Sequence, residues 1–234
     1  MLSFDVINEL TLRVMCKGTD TLFVKKGAFI AGENRGQKNY SFEKVLLGPQ
    51  QDIGRALLGA VVRRVTGENL PLMKVNLNGD SVTYYADYAQ HVIVYRLEYG
   101  ETISVESENI LAFTPDCEYN VRFIGVGVLS QKGLATSTLT AKGKNACVAV
   151  LANGNPVVLS NINTGTTLSV DPDAVICWVG RGPCDPAVTF DVSWKNLIGQ
   201  SSGESYQFEW SAMTPVTVMI QPNERQGGIS VSMD

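Results

Sequence analysis

Val92-Ile-Val-Tyr-Arg-Leu-Glu-Tyr-Gly100-Glu-Thr-Ile-Ser-Val105 is echoed, 65 positions on and without a gap, by Val157-Val-Leu-Ser-Asn-Ile-Asn-Thr-Gly165-Thr-Thr-Leu-Ser-Val170. Both stretches read as strand, glycine turn, strand. Each runs into a paired acidic turn, Glu106-Ser-Glu108 or Asp171-Pro-Asp173, and then into another apolar run. A fixed period of this kind marks a structural module used more than once in one chain. Short β-branched and aromatic runs between turn residues make that module a sheet. The repeat sets an architecture and names no reaction.

A fainter third copy lies near the N-terminus. Leu10-Thr-Leu-Arg-Val14 leads through a turn at Gly18 into Thr21-Leu-Phe-Val24, which aligns with Thr102-Ile-Ser-Val105 at an offset of 81. Ala28-Phe-Ile-Ala31 then falls on Asn109-Ile-Leu-Ala112 and on Ala174-Val-Ile-Cys177. The wider spacing predicts an insertion in the first copy, between Gly48 and Arg64. Within it, Ile53, Ala56, Leu57, Ala60 and Val61 share one helical face, with Asp52 placed to cap it. A short helix over Gln51–Arg64 is expected, covering a sheet edge or barrel end. Its functional alternative is a docking element for a partner or a membrane surface.

The remaining chain reads as strands between turns. Lys74–Leu77 and Val82–Tyr85 flank Asn78-Gly79, the dipeptide favoured in tight hairpins. Val121–Ile124, Cys147–Leu151, Val188–Val192, Tyr206–Trp210 and Val216–Ile220 are further strands. The division expected is one compact unit over residues 1–222, in three copies of about 1–88, 89–154 and 155–222. Residues 223–234 follow as a polar, glycine-rich tail, in which Ile229-Ser-Val231 has the alternation of an edge strand.

Composition narrows the function. The 234 residues are 44% hydrophobic and 18% charged, with 22 glycines and a net charge of −4. No basic field is present to attract nucleic acid or an anionic membrane. The longest clean apolar stretch, Ala56–Val62, is far short of the roughly 18 residues a membrane-spanning helix needs. The N-terminus lacks the basic region and apolar core of a signal peptide. A soluble, cytoplasmic protein is expected. Cys16, Cys117, Cys147, Cys177 and Cys184 are odd in number and form no Cys-x-x-Cys pair, so they read as reduced, buried hydrophobes. Cys184, in Gly180-Arg-Gly-Pro-Cys-Asp-Pro186, sits in a loop and is the first thiol to test for reactivity.

The search for chemistry returns little. His91 is the one histidine, which leaves too few imidazoles for a multi-histidine metal site and makes it the sole base for a Ser-His or Cys-His pair. It opens a strand and reads as a locally bonded strand-end residue. No phosphate loop or dinucleotide fingerprint is present: Lys142-Gly-Lys144 and Gly125-Val-Gly127 lack the required spacing. The acid pairs Glu106/Glu108 and Asp171/Asp173 recur at the same position and read as turn formers, with Lys25-Lys26-Gly27 in their place in the first copy. A second recurring motif is Thr66-Gly67-Glu68 and Ser202-Gly203-Glu204, each ahead of a strand. It reads as a turn, with a shared recognition surface as the alternative. No catalytic, cofactor or metal residues are assigned. The candidate interaction residues are Arg63, Arg64, Gly67, Glu68, Gly203 and Glu204.

Three features together resemble a known family. They are Arg63-Arg-Val-Thr-Gly-Glu-Asn-Leu70, the Leu/Ile-x-x-Gly-x-Thr-x-x-Val turns at Gly100 and Gly165, and Gly203-Glu-Ser-Tyr-Gln-Phe208 leading to Val216-Thr-Val-Met-Ile-Gln221. The chain resembles the altered-inheritance-of-mitochondria family, related to mitochondrial biogenesis, over roughly residues 5–222. The resemblance implies an all-β fold like that of the tryptophan RNA-binding attenuation protein (TRAP). That fold is a β-sandwich, double-stranded β-helix-like unit, here repeated three times around a pseudo-three-fold axis. It also implies mitochondrial eukaryotic relatives, and it brings no catalytic residues to carry over. The chain departs from commoner members in a less glycine-rich helical insertion and in Lys142-Gly-Lys-Asn-Ala146, which stands where a Gly-Glu motif is expected. The attenuation protein's tryptophan and RNA sites do not transfer, because fold does not carry function.

The expected function is a non-enzymatic scaffold or protein-interaction module, with a protein partner or self-association, no cofactor, and no nucleic acid or membrane span. The alternative is a binding module for a small ligand or nucleic acid in grooves between copies. An enzyme built on Cys184 or His91 ranks last.

Overall fold

The computed structural model describes residues 1–34, 36–45, 72–124, 135–190 and 206–222. The expected helix at 51–64, the six candidate interaction residues and the tail at 223–234 lie outside them. The described residues form an all-β protein of several antiparallel sheets, with two single-turn 3-10 helices.

The strands are β1 (Leu2–Ile7), β2 (Thr11–Cys16), β3 (Thr19–Lys25), β4 (Phe29–Glu33), β5 (Tyr40–Val45), β6 (Leu72–Asn78), β7 (Ser81–Tyr85), β8 (His91–Arg96), β9 (Glu101–Val105) and β10 (Ile110–Phe113). They continue as β11 (Cys117–Phe123), β12 (Ala135–Ala141), β13 (Cys147–Ala152), β14 (Val157–Ser160), β15 (Leu168–Val170), β16 (Val175–Arg181), β17 (Ala187–Phe190), β18 (Tyr206–Trp210) and β19 (Val216–Ile220). Four sheets result, ordered β1-β2-β7-β4, β5-β6-β3-β10-β13-β8, β11-β12-β9-β16-β19-β14 and β15-β18-β17. The trios β2-β7-β4, β8-β13-β10 and β14-β19-β16 share one pairing order. So do β5-β6-β3, β11-β12-β9 and β17-β18-β15. The pairs β3–β10 and β9–β16 join trios of the two kinds into the six-stranded sheets.

The strand–glycine–strand units are not hairpins. β6 pairs with β3 and β5, and β7 pairs with β2 and β4, so the Asn78-Gly79 turn carries the chain from one sheet to another. This corrects the hairpin reading of Asn-Gly. Both edges of each flanking strand are already occupied, and at the dipeptide only Gly79 takes positive φ, whereas a type I′ turn needs it at both residues. Gly100 and Gly165 turn the chain between sheets in the same way.

Side-chain alternation then builds three cores. Successive residues of β13 point to opposite sides. Cys147, Ala149 and Leu151 join Leu12, Val14 and Leu77 in a core between the first two sheets. Val148, Val150 and Ala152 join Ile103, Leu139 and Met219 between the second and third. A third core, around Trp178, Phe208 and Trp210, lies between the last two sheets. The two middle sheets are therefore covered on both faces, which is why β10 and β13 are buried along their whole length rather than alternating with water. In β10 a bulge between Ile110 and Ala112 turns Leu111 and Ala112 to the same core. In β16 a bulge between Val175 and Cys177 does the same for Ile176 and Cys177. β4 carries a bulge between Phe29 and Ala31, but there Ile30 and Ala31 face outward.

Candidate functional site

The acid pairs are corner pieces. Glu106 and Asp171 each precede a 3-10 turn, Ser107–Asn109 and Pro172–Ala174. Asp171 Oδ1 accepts from the Asp173 amide at 2.9 Å, satisfying a donor that the short helix leaves free. At the end of β3 a basic residue reaches sideways to such a corner. Lys25 Nζ pairs with Asp87 at 2.6 Å and donates to the Glu108 carbonyl at 2.8 Å. Asp171 and Lys25 thus tie these corners to neighbouring backbone and to Asp87. Among the described residues no cluster of His, Cys, Asp and Glu is arranged to hold a metal ion.

His91 begins β8, as read from the sequence. Its Nε2 lies 3.5 Å from Glu9 of the turn between β1 and β2, and its Nδ1 is buried without a hydrogen-bond partner. A catalytic relay needs one ring nitrogen on a nucleophile and the other on an orienting group. Here a carboxylate stands beside one nitrogen, and the other, Nδ1, meets no nucleophile among the described residues.

Cys184 is buried like the other four cysteines, although it lies in a loop. Its loop folds inward, leaving the residue 1% exposed, with its thiol against Gly180. Its carbonyl accepts from Trp210 Nε1 at 2.9 Å. Burial, and then the charge of Asp185, push the thiol up from its ordinary value, while Arg122, paired with Asp185 at 2.9 Å, pulls it back. A reactive thiol needs a lowered pKa and access, and Cys184 has neither. The other four cysteines are also free and buried. Burial raises Cys117 to about 11, and Cys147 and Cys177 to about 12.

Sequence reading missed an aromatic cluster at the end of the first sheet. Phe29, Tyr40, Phe42 and Tyr85 pack edge-on, and Lys38 Nζ sits 4.7 Å over the Tyr40 ring and 5.5 Å over that of Phe42. The i, i+2, i+4 spacing of Lys38, just ahead of β5, with Tyr40 and Phe42 on it was the available signal. The rings meet tilted or edge to face, and Phe42 stays partly exposed.

What the described surface does offer is a sheet edge. β2, β8 and β14 hold the same place in their trios, next to β7, β13 and β19. β1 pairs with β2 along its full length. β8 is shielded by β1 and β2, and the Val92 amide donates to the Glu9 carbonyl at 2.8 Å. β14 pairs only with β19 among the described strands, and it displays Val157 and Val158. Beside it, Asn161 Nδ2 donates to the Ser211 and Thr214 carbonyls at 3.0 and 2.9 Å, fixing two turns that expose Ile162 and Met213. No helix among the described residues is long and apolar enough to cross a membrane.

Comparison with known proteins adds the following. Residues 4–223 match the family described as "Mitochondrial biogenesis AIM24". No curated protein matches the chain. The crystal structure of protein SPYM3_0169 from Streptococcus pyogenes, a structural genomics target, is similar in fold. Its TM-score is 0.66 at 14% identity, over 96% of this chain and 94% of that one.

Proposed function

The chain belongs to the mitochondrial biogenesis AIM24 family, and from that premise we propose that it works as a non-enzymatic scaffold or protein-interaction module. The observation that carries the reading is the contrast between an inert interior and an unfinished edge. The thiols are buried and raised, His91 lies against Glu9, and Asp171 is bonded within its own corner, whereas among the described strands β14 pairs on one side only and displays apolar side chains. Five unpaired, buried thiols support a reducing, cytoplasmic setting. The net charge of −4 disfavours nucleic acid. Capture of the tagged chain from native lysate, with retained protein, nucleic acid and metabolites all identified, tests this. A near-stoichiometric protein partner that persists in His91→Ala and Cys184→Ala is the expected result. A defined metabolite or RNA without a protein partner moves the assignment to a binding module. Turnover lost in either variant overturns it in favour of an enzyme.

We further propose that the architecture is three TRAP-like units about a pseudo-three-fold axis, divided near 1–88, 89–154 and 155–222. The shared pairing order of the trios supports this. In β3–β10 and β9–β16, Val24 faces Ala112 and Val105 faces Cys177. β15 and β4 hold the two remaining junction positions and are edge strands of separate sheets. A crystal structure whose three copies superpose by rotations of roughly 120° around one axis is the expected result, and copies related in any other way break the ring.

A further inference from the structure

We propose that β14 is a self-association edge: two copies pair antiparallel through Val157–Ser160 about a two-fold axis, joining their β11-β12-β9-β16-β19-β14 sheets into one. This deepens the interaction-module reading by naming a surface and a partner, and it rests on that reading.

An exposed edge strand carries unpaired amides and carbonyls and is a template for another strand. Proteins usually guard such edges with charge, proline or a covering segment. In this chain β2 has its covering segment in β1, and β8 has β1 and β2 beside it. β14 has no such cover among the described residues, with Val157 49% and Val158 57% exposed. It is also unguarded by charge, since residues 145–170 contain no Asp, Glu, Lys, Arg or His. The equivalent stretches carry Arg96, Glu98 and Glu101 in the second copy, and Arg13, Lys17 and Asp20 in the first.

That neutrality selects the partner. In a two-fold antiparallel pair every residue meets the same short segment of its twin, so any charge on the strand meets its like. Val157-Val-Leu-Ser160 brings none together. Pro156 stops the edge at one end, and Ile162 and Met213 stand at the other. The two-fold operation sets each end of the strand against the opposite end of its twin. The apolar pair Ile162 and Met213 therefore faces the partner's Pro156 and Val157. A four-residue strand with two flanking contacts falls below the roughly 1,200–2,000 Å² of a stable interface, so the dimer is weak and concentration-dependent.

The test is sedimentation equilibrium of the full chain over a wide concentration range, with Val158→Lys and Val158→Asp alone and mixed. Val158 is exposed, so both variants should keep the wild-type thermal unfolding curve, which is recorded alongside. The wild type should show a monomer–dimer equilibrium. Each variant alone should dimerise at least about tenfold more weakly, through like charges meeting across the axis. An equimolar mixture of the two should recover association. A monomer at every concentration, or a dimer indifferent to both substitutions, overturns the proposal. A monomer that still retains a stoichiometric partner from lysate leaves the module reading standing while this one falls.

Discussion

Val92 and Val157 open the two halves of the chain's clearest internal match, yet one is buried and the other is not, 5% against 49% exposed. Local sequence is the same in kind, and both residues lie on strands paired to an equivalent neighbour, β13 or β19. What separates them is the rest of the chain. β1, the turn at Glu9 and β2 close over β8, while β14 has no described strand on its outer side. The downstream turns diverge as well. β9 begins at Glu101, one residue after Gly100, whereas β15 begins at Leu168, three after Gly165, with Asn163 also at positive φ. A repeated module thus specifies its strands and corners, and the position of each copy in the chain decides which surfaces are left to use.

The sharpest way to break this comparison is to put the same charge at both sites. Val92→Asp buries an unpaired carboxylate and should cost at least about 3 kcal/mol of stability, enough to compromise folding. Val157→Asp should change monomer stability by no more than about 0.5 kcal/mol. Denaturant unfolding of the two variants checks the pair. Equal losses would mean that β14 is covered in solution.

A second contrast lies at the bulges. Cys177 occupies the place of Ala112 in β10 and Ala31 in β4, and burial raises its thiol to about 12. A thiol whose folded-state pKa is raised contributes stability that is fully present below its unfolded value near 9. That contribution is lost as pH climbs toward about 12. The protein should therefore weaken through this alkaline window, and Cys177→Ala, which copies the equivalent residue, should flatten the loss. Cys117 and Cys147, also raised by burial, keep part of the slope. Unfolding midpoints across the window decide it. A slope unchanged in Cys177→Ala would place the alkaline loss on other groups.

Much of this fold is legible in the chain. Hydrophobic alternation and turn residues place most strands within a few positions, and the 65-residue offset brings the two acidic corners into register. Three things are not legible. Asn78-Gly79 looks like a hairpin because local chemistry cannot report that β6 and β7 already have partners in different sheets. The inward fold of the Cys184 loop is hidden because the glycines and prolines around it say nothing of Trp210, 26 residues on, drawing its carbonyl inward. β1 was visible only as the alternation of Leu2, Phe4 and Val6, and its role in covering β2 depends on pairing that no short window contains. Gly67, Glu68, Gly203 and Glu204 rested on motif recurrence, and Arg63 and Arg64 on the stretch that carries the family resemblance. The surface the structure brings forward instead was marked in the sequence by a long run without charge.

At the two glycine turns the comparison predicts likeness. Gly100 and Gly165 have φ of 81° and 67°, and a Cβ at either would meet no atom within 4 Å. Alanine there carries only the backbone cost of the left-handed region, roughly 1–2 kcal/mol. Gly100→Ala and Gly165→Ala should lose similar amounts in thermal unfolding. A much larger loss at Gly100 would show that its turn is packed more tightly than this geometry gives.

The smallest effect tests whether charge or packing sets the difference between the two turns. Glu98, in the turn before Gly100, pairs with Arg181 at the end of β16, and Glu101 lies 3.8 Å from the same guanidinium. The equivalent of Glu98 in the next copy is Asn163, which has no charge to offer. The Glu98–Arg181 pair looks like a clamp between neighbouring copies, yet both side chains are largely exposed, and water and salt screen such pairs to about 0–1 kcal/mol. Glu98→Gln should therefore shift stability by less than about 0.5 kcal/mol, and the shift should vanish as ionic strength rises. Backbone pairing of β9 with β16, from Cys177 opposite Val105 to Arg181 opposite Glu101, carries that junction whether or not the charges are present. A loss several times larger that persists in high salt would assign the junction to the ion pair, and with it the reason the charged turn and the neutral turn part ways.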